Sequence, residues 1–295
     1  MTAALRRWAP APWAAALGRW GPLLLMLAGA AATILVPRLF GDPDSVDPDL
    51  WRLTGYFAAL CGAALAFPSL RSQVLIAFAL LNLSLPYSLW LWLLGYGGAA
   101  PSLVGAPYGL ARNAFAGVAW LVVSLLLALG FRMLCPRPRP VLRLFTGIGW
   151  MAVGLGLGLS LMFLVIAFLL PGPLIGREGV PLLALGGSAA IATGVAQAAS
   201  AIGQEIQFRG VLLVALEREH GRWTALIAQA LIFGVAHIAT QYQGPAESLI
   251  PLVILLGLVW GWMTQQSRSV WPAALVHVVA ELFLVAAIVS GLYGH

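Results

Sequence analysis

Two carboxylates, two imidazoles and a guanidinium lie inside apolar stretches of this chain: Glu205, Arg209, His237, His277 and Glu281. A carboxylate facing an imidazole can hold a water and take its proton. A second histidine with a polar partner one turn on can donate hydrogen bonds to a developing oxyanion. The same four donors, Glu205, His237, His277 and Glu281, could ligate a divalent metal such as Zn. They could also pass protons along a relay. An ionised side chain at mid-membrane costs roughly 2.5–3.5 kcal/mol on insertion scales, so a bundle that served only as a bundle would avoid them.

The spacing says which of these groups meet. Glu205 and Arg209 are i, i+4 with the acid on the N-terminal side, so on a helix they share a face and can pair. His277 and Glu281 share a face by the same spacing. At about 1.5 Å rise per residue, Glu205, His237, His277 and Glu281 lie roughly 10–21 Å in from the cytoplasmic ends of their segments. Three segments therefore bring polar side chains to similar depth. The first five segments hold no comparable charge, and no histidine precedes His220.

The elements that must position these groups are membrane helices. The chain has 295 residues, 61% of them hydrophobic and 9% charged. A soluble domain carries charges on about a quarter of its residues, so composition alone predicts an all-α, polytopic transmembrane bundle. Apolar runs long enough to cross roughly 30 Å of hydrocarbon recur at about 20–39, 52–70, 73–96, 114–134, 145–170, 183–216, 223–240, 249–266 and 270–291, about nine spans. The sixth is overlong and reads as one helix that crosses the bilayer and emerges from it. The breaks are GDPDSVDPD (41–49), PRPRP (136–140) and the Pro/Gly-rich stretch 171–180. With the N-terminus inside, Arg38, Arg52, Arg112 and Arg177 fall outside with the acidic loop, and every other loop arginine falls inside. This is the positive-inside pattern, and it places the C-terminus outside. Small residues fill 186–203 (GGSAAIATGVAQAASAIG), and Gly257 and Gly261 stand at GxxxG spacing, so both segments admit close helix packing.

Other features narrow the class. All 16 basic residues are Arg. Most sit singly at the ends of apolar runs, so the pI near 10 marks orientation in a lipid bilayer and not nucleic-acid binding. Cys61 and Cys135 form no CxxC pair and read as structural thiols. Residues 1–19 interleave Arg6, Arg7 and Arg19 with Trp8 and Trp13, as suits an interfacial segment and not a cleaved signal. Trp260, Trp262 and Trp271 read as interfacial anchors and packing. His220 and His295, at a loop and at the terminus, carry no assigned role. Neither HExxH nor a GxSG serine motif occurs.

The polar stretches QEIQFRG (204–210), FGVAH (233–237) and HVVAE (277–281) resemble, in order and spacing, the EExxxR, FxxxH and HxxxN/D motifs of the CPBP family. This family comprises intramembrane proteases named for CAAX proteases and bacteriocin-processing enzymes. The resemblance covers about 188–290, within a C-terminal core of 183–295 that follows a five-span region at 20–182. It implies that Arg209 orients the acidic pair, that His237, after Phe233, helps to activate water, and that His277 is an oxyanion donor. Two positions depart from the pattern: the first glutamate of EExxxR is Gln204, and the Asn or Asp of the third motif is Glu281.

An amide cannot be a general base, so three readings stay open at this point. Activity is lost; or amide and carboxylate have exchanged helices, Glu281 supplying the acid; or Glu205 is the base. The resemblance implies an intramembrane endopeptidase of the bacterial plasma (inner) membrane, acting on a membrane-associated or membrane-anchored peptide or protein. An inactive relative serving in binding, immunity or assembly is the second expectation. A proton-coupled transporter is the third, disfavoured because the polar groups occur in the C-terminal third alone.

Overall fold

A computed structural model describes residues 20–33, 46–94, 107–134, 148–164, 187–237 and 246–293. They form helices α1 (Trp20–Thr33), α2 (Val46–Ala66), α3 (Val74–Leu94), α4 (Pro107–Leu134), α5 (Ile148–Leu164), α6 (Gly187–Glu205), α7 (Leu213–His220), α8 (Arg222–Ala236), α9 (Ala246–Ser267) and α10 (Trp271–Tyr293). A 3₁₀ turn, Pro68–Gln73, links α2 to α3, and a π-helical turn, Ile206–Leu212, joins α6 to α7. Among the described residues there is no strand; the run 183–216, expected as one helix, takes in α6, the π turn and the start of α7, and the described parts of the other apolar runs are mostly helical.

Two boundaries differ from expectation. α2 begins at Val46, inside the stretch read as an acidic turn, and α4 begins at Pro107 and not near 114. Proline is tolerated in a helix's first turn, and aspartate is favoured there by the helix dipole, so polar, Pro-containing text extends these helices where it was expected to end them. The interfacial segment 1–19, the PRPRP turn, residues 171–180, Cys135 and His295 lie outside the described residues.

The apolar pattern of α4 is inverted relative to a soluble helix. Phe115, Val118, Val122, Leu125, Leu126, Leu129 and Met133 form its exposed stripe, Met133 being 85% exposed. Its inward face holds Ala116, Trp120, Ser124, Ala128 and Phe131. A continuous outward stripe of large apolar side chains requires an apolar surrounding, which lipid provides. Ala114–Leu134 and Ile250–Ser267 are the described helices with a long enough apolar stretch to cross a bilayer.

Close approach at small residues builds the bundle. α4 packs on α6, with Gly117 so near the Ala196 backbone that an added Cβ would lie 2.6 Å from its carbonyl oxygen. α5 packs on α10, where a Cβ at Gly154 would lie 2.5 Å from the Pro272 carbonyl. The GxxxG pair works as expected. Gly257 meets Ala230 and Phe233, and Gly261 receives Leu226 and Gln229, all from α8. Because backbone atoms cannot yield as a flexible side chain does, Gly117→Ala is expected to destabilise the bundle by about 1–3 kcal/mol. Gly156→Ala, where the added methyl meets nothing within 4 Å, is the neutral control. Thermal unfolding of the two variants in detergent makes the comparison, and equal melting temperatures would show that the α4–α6 contact is not this tight.

α1 and α7 meet where no contact was expected. His220 is buried and its ring stacks on Trp20, with centroids 4.1 Å apart and planes 13° from parallel. α2 and α3 are joined by a hydrogen bond between the Thr54 and Ser88 hydroxyls (2.9 Å), and Cys61 is buried in the same region.

Candidate active site

The last turn of α6 and the π turn after it carry the first set of polar groups. Leu213 N–H donates to the Phe208 carbonyl, five residues back, where an α-helix would use the fourth. The turn is wholly buried. Glu205 and Arg209 pair across it, Nη1 donating to Oε1 at 2.8 Å with neither side chain exposed. The Arg209 guanidinium lies over the Phe233 ring at 4.2 Å, with the Trp260 ring at 5.3 Å and the Phe208 ring at 5.8 Å. The aromatic faces of three elements thus help to neutralise a cation that has lost its water.

α10 completes the cluster. His277 Nδ1 lies 2.8 Å from Glu205 Oε1, and its Nε2 lies 3.3 Å from Glu281 Oε1. His277 is therefore strung between two carboxylates, one sealed and one reaching the surface: Glu205 has no exposed side-chain area, whereas Glu281 is 14% exposed. The Trp260 ring lies on the His277 ring at 4.6 Å and 31°, and Phe233 presents an edge at 6.0 Å.

His237 ends α8. Its Nδ1 lies 2.7 Å from the Phe233 carbonyl oxygen, which only accepts, so Nδ1 carries the proton and Nε2 is the basic nitrogen of the neutral ring. The ring is half-buried, 4.5 Å from Phe233, and within electrostatic reach of Glu281, His277 and Arg209. Phe233 thus separates His237 from Arg209 and spaces the two imidazoles.

Glu205, Arg209, His277 and Glu281 form one chain of hydrogen bonds, and His237 adjoins it across Phe233. Gln204 is half-buried at the end of α6 and stands outside this chain of contacts. Glu205 Oε2 and Arg209 Nε and Nη2 are buried without a protein partner.

The metal reading does not fit this arrangement. Ligands to Zn converge to about 2 Å from one point. Here both nitrogens of His277 face carboxylates and Nδ1 of His237 faces a carbonyl. Among the described residues no three His, Cys, Asp or Glu side chains form a metal-ligand group.

The sequence reading missed three parts of the site. Trp260, read only as an interfacial anchor and packing residue, is 3% exposed and its ring covers His277. The π turn has no sequence mark. Gln207, inside the first motif, is buried and accepts a hydrogen bond from Trp120 Nε1 (3.0 Å) while donating to the Asn82 carbonyl; the charged residues on either side of it masked its signal.

Two carboxylates, two imidazoles and an arginine thus gather inside an all-helical bundle whose outer faces are apolar. Comparison with known families agrees: residues 186–283 match the family described as Type II CAAX prenyl endopeptidase Rce1-like. The C-terminal third is thus similar to a Rce1-like CAAX endopeptidase domain, consistent with the CPBP family of proteases, and the chain is an integral membrane protein. No curated protein and no solved structure matches the chain.

Proposed function

We propose that this protein is an active intramembrane endopeptidase that cleaves a peptide bond of a membrane-associated protein or peptide, with Glu281 and His237 as the water-activating pair. The observation that carries this reading is the difference between the two carboxylates. Glu205 is sealed and held by Arg209 and His277, so it cannot reach a water without breaking two hydrogen bonds. Glu281 reaches the surface of the cluster and is held by one bond to His277. The carboxylate that the family places at position 204 is thereby supplied from α10. The Gln204 amide, on α6, takes the place of the family's α10 amide.

In the proposed reaction Glu281 accepts a proton from water as the water oxygen attacks the scissile carbonyl carbon. His237 Nε2 orients that water, and the Gln204 amide donates to the oxyanion. His277, bonded to both carboxylates, orients Glu281 for the attack and does not act as the oxyanion donor that the family resemblance implied. The C–N bond then breaks as Glu281 returns the proton to the leaving nitrogen. Glu205 and Arg209 position His277 and touch no reacting atom. The chain crosses the membrane with about nine spans, N-terminus inside and C-terminus outside, as the distribution of arginines supports. The core at 183–295 carries the reaction, and 20–182 forms a supporting five-span region.

The test restores the family arrangement. In purified protein given a panel of membrane-associated peptides, Gln204→Glu combined with Glu281→Asn is expected to retain cleavage within about tenfold of wild type, whereas Glu281→Asn alone loses it. Full activity of Glu281→Asn alone, or no cleavage by any form including wild type, would reject the reading. The second outcome would favour a binding protein built on the same fold.

A further inference from the structure

The five helices ahead of the core carry no catalytic motif, yet two of them grip the turn that bears the reactive groups. Gln207, on the π turn, accepts from the Trp120 indole N–H of α4 at 3.0 Å and donates to the backbone carbonyl of Asn82 on α3. Trp120 is itself fixed. Its ring meets the edge of Tyr87 from α3 at 5.4 Å, and its Cδ1 would lie 3.1 Å from a Cβ at Gly203, one turn before Gln207 on the same face. Gln207, Trp120 and Gly203 are buried. The opposite face of the same turn presents Glu205 and Arg209 to Phe233, Trp260 and His277. One short segment is thus held by α3 and α4 on one side and carries the Glu205–Arg209–His277 chain on the other.

This arrangement has a physical consequence. A π turn takes more residues per turn than the 3.6 of an α-helix and has poorer intrinsic stability, so it persists where surrounding contacts hold it. Relaxation to α-helical pitch would rotate Arg209 relative to Glu205 and move the carboxylate that holds His277. A buried amide satisfied at both ends by groups from two other helices sets that pitch. Leaving either partner unpaired in the interior costs more than the bond gains, so the contact is all-or-none. We infer that Gln207, clamped by Trp120 and the Asn82 carbonyl, is a positioning residue for the active site, and that the N-terminal helices serve catalysis by fixing the π turn. The catalytic part of this inference rests on the endopeptidase reading, whereas the structural part does not.

Two variants test it, because one of them keeps the core volume. Gln207→Leu removes the amide, and Trp120→Phe keeps an aromatic ring without the N–H. Amide hydrogen exchange of the segment 206–212 is followed in both, with segment 223–233 of α8 as internal reference. Each variant is expected to exchange at least about tenfold faster in 206–212 with the reference unchanged. In the peptide-cleavage assay each is expected to lower kcat by about 10- to 100-fold with KM within about twofold, as for a small misplacement of reacting groups. The double variant is expected to be no worse than the more impaired single one, because the two residues form one contact.

Unchanged exchange in 206–212 would overturn the clamp, whether or not any form cleaves a peptide. Faster exchange with wild-type kcat would overturn its positioning role. If wild type cleaves nothing, the endopeptidase reading fails, and the exchange measurement still decides whether the clamp exists.

Discussion

Glu281→Gln is expected to abolish peptide hydrolysis while leaving the protein folded. The loss in kcat should be about 10²–10⁴-fold, the usual weight of a general base, with KM changed little because the side chain keeps its shape. The stability cost should be small. Glu281 is part-exposed, and the amide can still accept from His277 Nε2, the one partner the carboxylate has at 3.3 Å. The same change at Glu205 has a different signature. That residue has no exposed area and faces Arg209 and His277 at 2.8 Å each, so Glu205→Gln should lower activity and melting temperature together. Kinetics and thermal unfolding on the two variants separate the roles. Wild-type kcat in Glu281→Gln would remove Glu281 as the base and return Glu205 to that position.

Arg209→Met should be the most destabilising single change in the core. It leaves the Glu205 carboxylate buried without its cation, and breaking a buried pair in this way costs about 3–5 kcal/mol. Arg209→Lys should rescue little. An ammonium is a compact, strongly hydrated point charge that does not spread over the Phe233 face as the planar guanidinium does. Removing both charges, Glu205→Gln with Arg209→Met, should recover much of the stability, because an apolar or neutral pair of similar volume avoids the desolvation of two ions. Activity should not return with it, since His277 would have lost the carboxylate that holds its Nδ1. Chemical or thermal unfolding in detergent gives the order. A single Arg209→Met variant as stable as wild type would show that the pair contributes nothing to the fold.

The legible part of this site was its list of ionisable residues. Charges inside apolar runs are costly whatever the fold, so Glu205, Arg209, His237, His277 and Glu281 stood out from composition alone. Helical spacing then paired Glu205 with Arg209 and His277 with Glu281, and both pairs meet at 2.8 and 3.3 Å. These are short-range consequences of one helix's geometry, available to anyone reading a single segment. The GxxxG contact of α9 with α8 was legible for a similar reason, since only a missing side chain permits that approach.

What could not be read were the contacts between segments distant in the chain. The bond between Glu205 and His277 joins residues 72 apart in sequence, and nothing in either segment specifies the other. The difference in exposure between Glu205 and Glu281, on which the choice of base turns, depends on which faces α8, α9 and α10 cover. Trp260 was read as an interfacial anchor and packing residue, but that its ring lies on His277 follows from how α9 and α10 come together. The π turn and the grip of Trp120 on Gln207 depend on α3 and α4. The sequence by itself determined that the chain is a helical membrane bundle and which side chains carry charge inside it, because the energetic cost of a charge in lipid and the period of a helix are local properties. Which carboxylate is sealed, which is part-exposed and what holds the π turn were decided by tertiary packing, because desolvation is a property of a residue's neighbours and not of the residue.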